Sequence, residues 1–409
     1  MMPSIRLVAA DPTLRLIALM MGLIGAINAS LYPYQSFVAV ERVGLSDGAF
    51  ALVLLVASGF AVVAALGAGI VTDQRANRRA VALVTAAATA IGPALMLFAP
   101  GPVSLVICHG MMLPLAASLY GQGFALARLA CADRPEMRDG VLSAFRALLS
   151  LTFLLSLLVW SLLFRFGLDV MAIYVLAAAA GATLFLLILR DWPRDGTMHW
   201  VDEPSGLRLG AALAEIGHGP VLRRLACLGA ITAAPALYMV LISLVFESQA
   251  NRDASDVALF VGLVGGFEVP FMLALPLALR HLSRTTLIVG GAVVYAAYLA
   301  LIPVLAPTPL IWLLPVLAGL GGAAILTLPI AYLQDLMTGR PGTGSALMAV
   351  QKVTSDTLCA VTFALGTALG GLGLVAALGA CVTLLGAAAL LRADRPGTPA
   401  RPLQPSPSR

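Results

Sequence analysis

Charge is what this 409-residue chain has least of. Only 11% of its residues are Asp, Glu, Lys or Arg, and a single lysine, Lys352, stands against 24 arginines. Against that scarcity, 60% of the residues are hydrophobic and the mean hydropathy is +0.97. A soluble catalytic domain, a nucleic-acid module or a large ectodomain has no sequence left to be built from. The five cysteines, Cys108, Cys131, Cys227, Cys359 and Cys381, form no C-x-x-C pair or metal spacing and are expected to be inert packing residues. No phosphate-binding G-x-x-x-x-G-K-[ST] loop exists, because the one lysine follows Gln351, and H-E-x-x-H is absent as well. The reading is therefore not an enzyme and not an ATP-driven pump, with no cofactor, no metal and no nucleic-acid partner.

What is present is a series of long apolar runs, at about 16–37, 49–71, 80–98, 103–125, 140–164, 169–189, 223–246, 257–280, 285–304, 309–333, 344–367 and 371–391. Each matches the roughly 20 residues that cross a bilayer as a helix. Continuous apolarity excludes an outer-membrane barrel, whose strands alternate polar and apolar residues. The first run is interrupted by Asn28 and Gln35 and is too long for a signal-peptide core, so it is expected to remain. The chain thus reads as an all-α membrane protein of twelve transmembrane helices in two six-helix halves: residues 1–189 and 223–391, joined by a 190–222 linker, with a proline-rich disordered tail at 392–409.

The arginines orient these helices. With both termini in the cytoplasm, 20 basic residues fall on the inside, three (Arg42, Arg165, Arg252) on the outside, and two (Arg146, Lys352) within helices. Such an imbalance is the positive-inside signal of a cell (inner) membrane protein. Basic clusters follow the second helix of each half, Asp73-Gln74-Arg75-Ala76-Asn77-Arg78-Arg79 and Arg280-His281-Leu282-Ser283-Arg284, which points to an internal duplication.

Twelve helices in two similar halves, with a short basic loop between the second and third, resembles the major facilitator superfamily. Gly69, Asp73 and Arg78-Arg79 match its loop pattern, while Gln74 replaces a base and the loop glycine is missing. Four further stretches resemble the sugar efflux transporter family within it: Gln122-Gly123-Phe124-Ala125-Leu126-Ala127-Arg128, Ser143-Ala144-Phe145-Arg146-Ala147, Gly266-Phe267-Glu268-Val269-Pro270-Phe271-Met272-Leu273 and Gln334-Asp335-Leu336-Met337-Thr338-Gly339-Arg340. The resemblance implies a monomeric secondary transporter that exports a sugar or glycoside in exchange for protons. A drug or amphiphile antiporter is the alternative within transport. A sensor that binds solute without moving it is the alternative outside it.

Each ionisable group in the apolar runs costs at least about 2.5–3.5 kcal/mol to insert, so each requires an explanation. The resemblance implies that helix five of one half meets helix eight of the other, so Arg146 and Glu268 are expected to form an interdomain charge pair, with Glu268, beside Gly262, Gly265, Gly266 and Pro270, either the proton-coupling carboxylate or a purely structural partner for Arg146. Lys352 and Asp356, spaced i, i+4, are placed either as a local neutralising pair or in the coupling path. In the first helix Asn28, Tyr32 and Gln35 share a face and offer donors, acceptors and an aromatic plane to a polyhydroxylated solute. Interhelical hydrogen bonding is the plainer explanation of that face. Gln122 and Gln351 are weaker substrate candidates of the same kind. His109 is read as a packing histidine rather than a proton relay. Asp73, Arg78, Arg79, Asp335 and Arg340 mark helix ends that are expected to form a cytoplasmic gate.

Overall fold

The computed structural model describes residues 2–75, 78–194, 219–249, 251–336 and 341–394, and these are almost entirely helical. Residues 195–218 of the linker and the tail beyond Asp394 lie outside the described residues. The helices are α1 (Met2–Ala10), α2 (Pro12–Arg42), α3 (Asp47–Arg75), α4 (Arg78–Phe98), α5 (Pro102–Ala130), α6 (Pro135–Arg165), α7 (Ala172–Asp191), α8 (Gly219–Glu247), α9 (Ala254–Ala278), α10 (Arg284–Leu305), α11 (Leu314–Leu336) and α12 (Pro341–Ala393). Among the described residues, eleven helical segments are long and apolar enough to cross a membrane. The last of them, Gln351–Ala393, has 43 residues, or ~65 Å at 1.5 Å per residue, about twice the hydrocarbon thickness. It is broken at Gly371, whose φ of +76° is favoured by glycine alone, so α12 is long enough for two passes and the described residues supply twelve. This break falls where the apolar pattern separates its eleventh and twelfth runs.

The chain divides into two compact units, Met1–Gly206 with Arg252–Gly262, and Leu207–Asn251 with Leu263–Arg409. In the first, α2 starts behind Asp11, whose carboxylate accepts the Leu14 N–H at 3.0 Å, and Pro12 sits in the first turn where its missing N–H costs nothing. Leu14, Ile17, Met20 and Met21 of α2 pack with Ala82 and Ala86 of α4, Leu119 and Leu126 of α5, and Leu184 and Ile188 of α7, all buried. Small residues let these helices approach: a Cβ on Gly181 would stand 2.6 Å from the Thr89 carbonyl oxygen of α4. At the other end of this unit, Trp160 Nε1 donates to Ser30 Oγ (2.9 Å) and the Tyr34 hydroxyl to the Ala254 carbonyl (3.2 Å). Arg165 Nε donates to Ser255 Oγ (3.1 Å). The bonds to Ala254 and Ser255 tie the opening turn of α9 to the first unit.

In the second unit the broadest packing is between α8 and α12, where Gly229 and Gly386 admit Thr354 and the Cys227 backbone respectively. Ser283 caps α10 by accepting the Thr286 N–H at 3.1 Å. Large apolar side chains such as Leu52, Leu155, Leu273 and Leu385 are exposed, as a surface meant for lipid requires.

A candidate solute cavity and a buried carboxylate

The first unit carries a partly open cavity of about 330 Å³. Its walls come from two helical stripes with the same i, i+3, i+4, i+7 spacing: Ile24, Ile27, Asn28 and Leu31 on α2, and Leu113, Ala116, Ala117 and Tyr120 on α5. Tyr32 closes one side, with Thr89 of α4 and Leu149 of α6 completing the lining. Four of these eleven residues carry polar groups. Thr89 Oγ1 donates to the Thr85 carbonyl (2.9 Å) and so turns acceptor lone pairs outward. Tyr120 rests against Phe124 with centroids 4.7 Å apart, which fixes the ring that faces the cavity. An apolar wall with a few convergent polar groups is the general form of a small-molecule site.

The structure brings Asn28 and Tyr32 together at this cavity, while Gln35 is not among the lining residues. The cause is local winding. A 3₁₀ turn at Tyr32–Tyr34 has about three residues per turn, so it sets Gln35 in line with Tyr32 but roughly 6 Å further along α2, past the last lining residue. Proline at 33 and the π-wound stretch Val38–Arg42 complete this irregular end of α2. Gln122 is buried on a different face of α5, beside Gly123, which meets Met20 and Met21 of α2; among the described residues the Gln122 Oε1 has no hydrogen-bond partner. Gln351 donates to Thr232 Oγ1 at 3.3 Å and so joins α12 to α8.

Among the charged candidates, Lys352 Nζ binds Asp356 Oδ2 at 2.6 Å within α12, with the lysine side chain largely exposed. Arg146 is exposed on α6. Glu268 is partly buried in the second unit, where its Oε1 lies against the backbone of α11 at Gly322 and near the Tyr295 ring. Arg79 donates to the Leu189 carbonyl at 2.7 Å, linking the start of α4 to the end of α7, and Arg78 is half-buried beside it. Asp73 and Asp335 lie in α3 and α11 with side chains outside those described, and Arg340 lies outside the described residues. His109 is buried in a π-wound segment, Val106–Met112, and its Nε2 is 2.8 Å from the Tyr174 hydroxyl. Gly44-Leu45-Ser46-Asp47-Gly48 has the spacing of a hydrolase nucleophile elbow, but Ser46 Oγ accepts the Ala49 N–H at 3.2 Å as a helix cap.

Sequence reasoning missed Thr89 and Tyr120, although Tyr120 completes the α5 stripe begun by Leu113. It also missed Asp394, the most connected carboxylate in the second unit. Asp394 accepts from Arg224 Nε (3.0 Å), from the Tyr332 hydroxyl at both oxygens (2.9 Å each) and from Thr285 Oγ1 (2.8 Å). The Arg224 guanidinium also donates to the Ala393 carbonyl (3.0 Å), so the ends of α8, α10, α11 and α12 meet at one acid.

Comparison with known proteins places this architecture. The family model described as Major Facilitator Superfamily matches residues 17–352. A protein of Deinococcus radiodurans described as a candidate sugar efflux transporter is 26% identical over 350 residues, 83% of this chain and 87% of the relative. Among solved structures, the nucleoside transporter NupG superposes with a TM-score of 0.73 at 18% identity, covering 94% of this chain and all of that one. A D-xylose-proton symporter gives 0.66 at 15%, covering 95% and 97%. The chain belongs to the Major Facilitator Superfamily and is a multi-pass membrane transporter, not an enzyme.

Proposed function

We propose that this transporter exports a small polar solute, a sugar or glycoside, by alternating access in exchange for protons. The observation that carries the reading is the cavity of the first unit, where Asn28, Tyr32, Thr89 and Tyr120 converge from three helices on a space of about 330 Å³. Two phenols, an amide and a hydroxyl offer donors and acceptors without net charge, which suits a neutral, hydroxyl-rich molecule. The sugar efflux description of the Deinococcus relative supports the same solute class. Glu268 is the coupling group in this reading, a carboxylate held inside a helical unit where each change of charge alters the stability of its surroundings. Arg146, Lys352 and Asp356 are the other charges assigned to coupling. Asp73, Arg78, Arg79, Asp335 and Arg340 are assigned to a gate on the cytoplasmic side, with both termini on that side of the inner membrane and the monomer as working unit.

The test is uptake of radiolabelled hexose, disaccharide and aryl glycoside into inverted vesicles. Leaving a buried polar partner unsatisfied costs about 1–3 kcal/mol, so Asn28→Ala or Tyr120→Phe raises the apparent solute constant roughly 5- to 150-fold. Unchanged constants in both variants remove the cavity from the solute path. A second reading, a drug or amphiphile exporter, is favoured by the seven apolar residues in the lining. It predicts that a lipophilic cation, and none of the sugars, is transported.

A further inference from the structure

Glu268 sits on α9 without a basic partner in its own unit among the described residues, so something uncharged must hold its carboxylate in place. Two glycines one turn apart on α11 face it. A Cβ on Gly322 would stand 2.6 Å from Glu268 Oε1 and 3.4 Å from both its carboxyl carbon and the Tyr295 ring. A Cβ on Gly319 would instead meet α9 at Phe267 and its backbone, 2.6 Å from the Phe267 Cβ, 2.7 Å from its carbonyl carbon and 2.9 Å from the Glu268 nitrogen. These two contacts differ in kind. Gly319 lets two backbones approach, whereas the space beside Gly322 is filled by the carboxylate oxygen itself.

Three tyrosines complete the surroundings. Tyr238 of α8 and Tyr298 of α10 are 5.4 Å apart between ring centroids, and Tyr295 and Tyr298 are 5.0 Å apart, both pairs edge to face. All three are buried and lie within electrostatic reach of Glu268. Among the described residues they are the titratable groups that face the carboxylate within its unit; α11 presents glycines at this level. A phenol and a carboxyl can exchange donor and acceptor roles as the acid gains or loses its proton.

The geometry points to Gly322 as a positioning residue for Glu268: the missing side chain is the slot that seats Oε1 against α11 beside Tyr295. This inference rests on the coupling role proposed for Glu268, and its test separates the two. Gly322→Ala and Gly319→Ala are made in the wild-type chain and in a Glu268→Ala background, and the purified full-length proteins are compared. The first readout is the pH titration of the Glu268 carboxyl band in infrared difference spectra, assigned by its loss in Glu268→Gln. Displacing the carboxylate from its slot moves the midpoint of that titration by about one unit, tenfold in proton affinity. The second readout is thermal stability. Gly322→Ala lowers the melting midpoint of the wild type and loses most of that effect once Glu268 is Ala. Gly319→Ala costs the same in both backgrounds, because it meets backbone.

An unmoved carboxyl midpoint, or an equal cost of Gly322→Ala with and without the Glu268 side chain, overturns the inference. Should Gly322→Ala alone fail to fold, recovery of the double variant supports it and failure of the double variant refutes it. If Glu268→Gln transports with an unaltered pH profile while Gly322→Ala still acts only through Glu268, the coupling role falls and the positioning role stands.

Discussion

Replacing Asp394 with Ala removes the acceptor for three side chains at once. Arg224 is 7% exposed and Asp394 is 19% exposed at the side chain, so this ion pair is shielded from water on both partners. Truncating one member of a buried pair leaves the other charge uncompensated, at about 3–5 kcal/mol. The hydroxyls of Tyr332 and Thr285 lose their acceptor at the same time. Tyr332 is buried but Thr285 is only partly so, and water restores part of what the threonine loses, so we expect a total near the upper end of that range. Thermal unfolding of detergent-purified protein, followed by the loss of the monodisperse peak on size exclusion, measures the cost. Asp394→Ala and Arg224→Ala are each expected to lower the midpoint strongly, and the double variant to lie well above the additive value, because removing both charges strands neither. Additive losses would show that the two groups act separately and that the acid does not hold the four helix ends together. Asp394→Asn is the sharper variant: it keeps the shape and one acceptor oxygen but strands the guanidinium, so it should resemble Ala more than wild type.

Other expectations follow from single positions. Gly371→Ala should destabilise by about 1–3 kcal/mol, the cost of a Cβ in an extended positive-φ conformation, read by the same unfolding assay. Tyr174→Phe leaves His109 Nε2 without its buried partner, at about 1–3 kcal/mol, and should lower stability while transport and its pH profile persist; a lost pH response would make His109 a relay after all. Reporter fusions after Arg194 and at the C-terminus should both behave as cytoplasmic, and a signal from the opposite side at either place rejects the orientation drawn from the arginines.

The helices were legible because bilayer-spanning sequence carries so strong a signal. Twenty apolar residues in a row have few other fates, and even the break between the last two passes is marked by Gly370 and Gly371 interrupting the apolar run. Local winding was not legible. The 3₁₀ turn at Tyr32–Tyr34 and the π segment at Val106–Met112 arise where tertiary packing competes with ideal α geometry, and periodicity arguments assume that geometry throughout. Hence Asn28 and Tyr32 could be grouped on one face from spacing, whereas spacing gave no sign that the cavity lining ends before Gln35. Tyr120 was readable in principle, since it lies seven residues after Leu113 and four after Ala116, but an aromatic in an apolar helix gives no sign of whether it faces lipid or a cavity. Asp394 escaped because it stands one residue beyond the last apolar run, where acids are usually solvated. Only the folded chain shows that Arg224, Tyr332 and Thr285, up to 170 residues distant, converge on it. Gly322 is a similar case: its neighbour in space is Glu268, and nothing in the sequence links the two.

The most direct measurement is proton movement driven by solute. Purified protein is reconstituted into liposomes loaded with a pH-sensitive dye, and a hexose, a disaccharide and an aryl glycoside are added in turn across the membrane. Sugar-dependent proton flux in the opposite direction, abolished by Glu268→Gln and saturating at higher concentration in Asn28→Ala, is the predicted result. Sugar movement with no accompanying proton flux, or a flux that Glu268→Gln leaves intact, would contradict it.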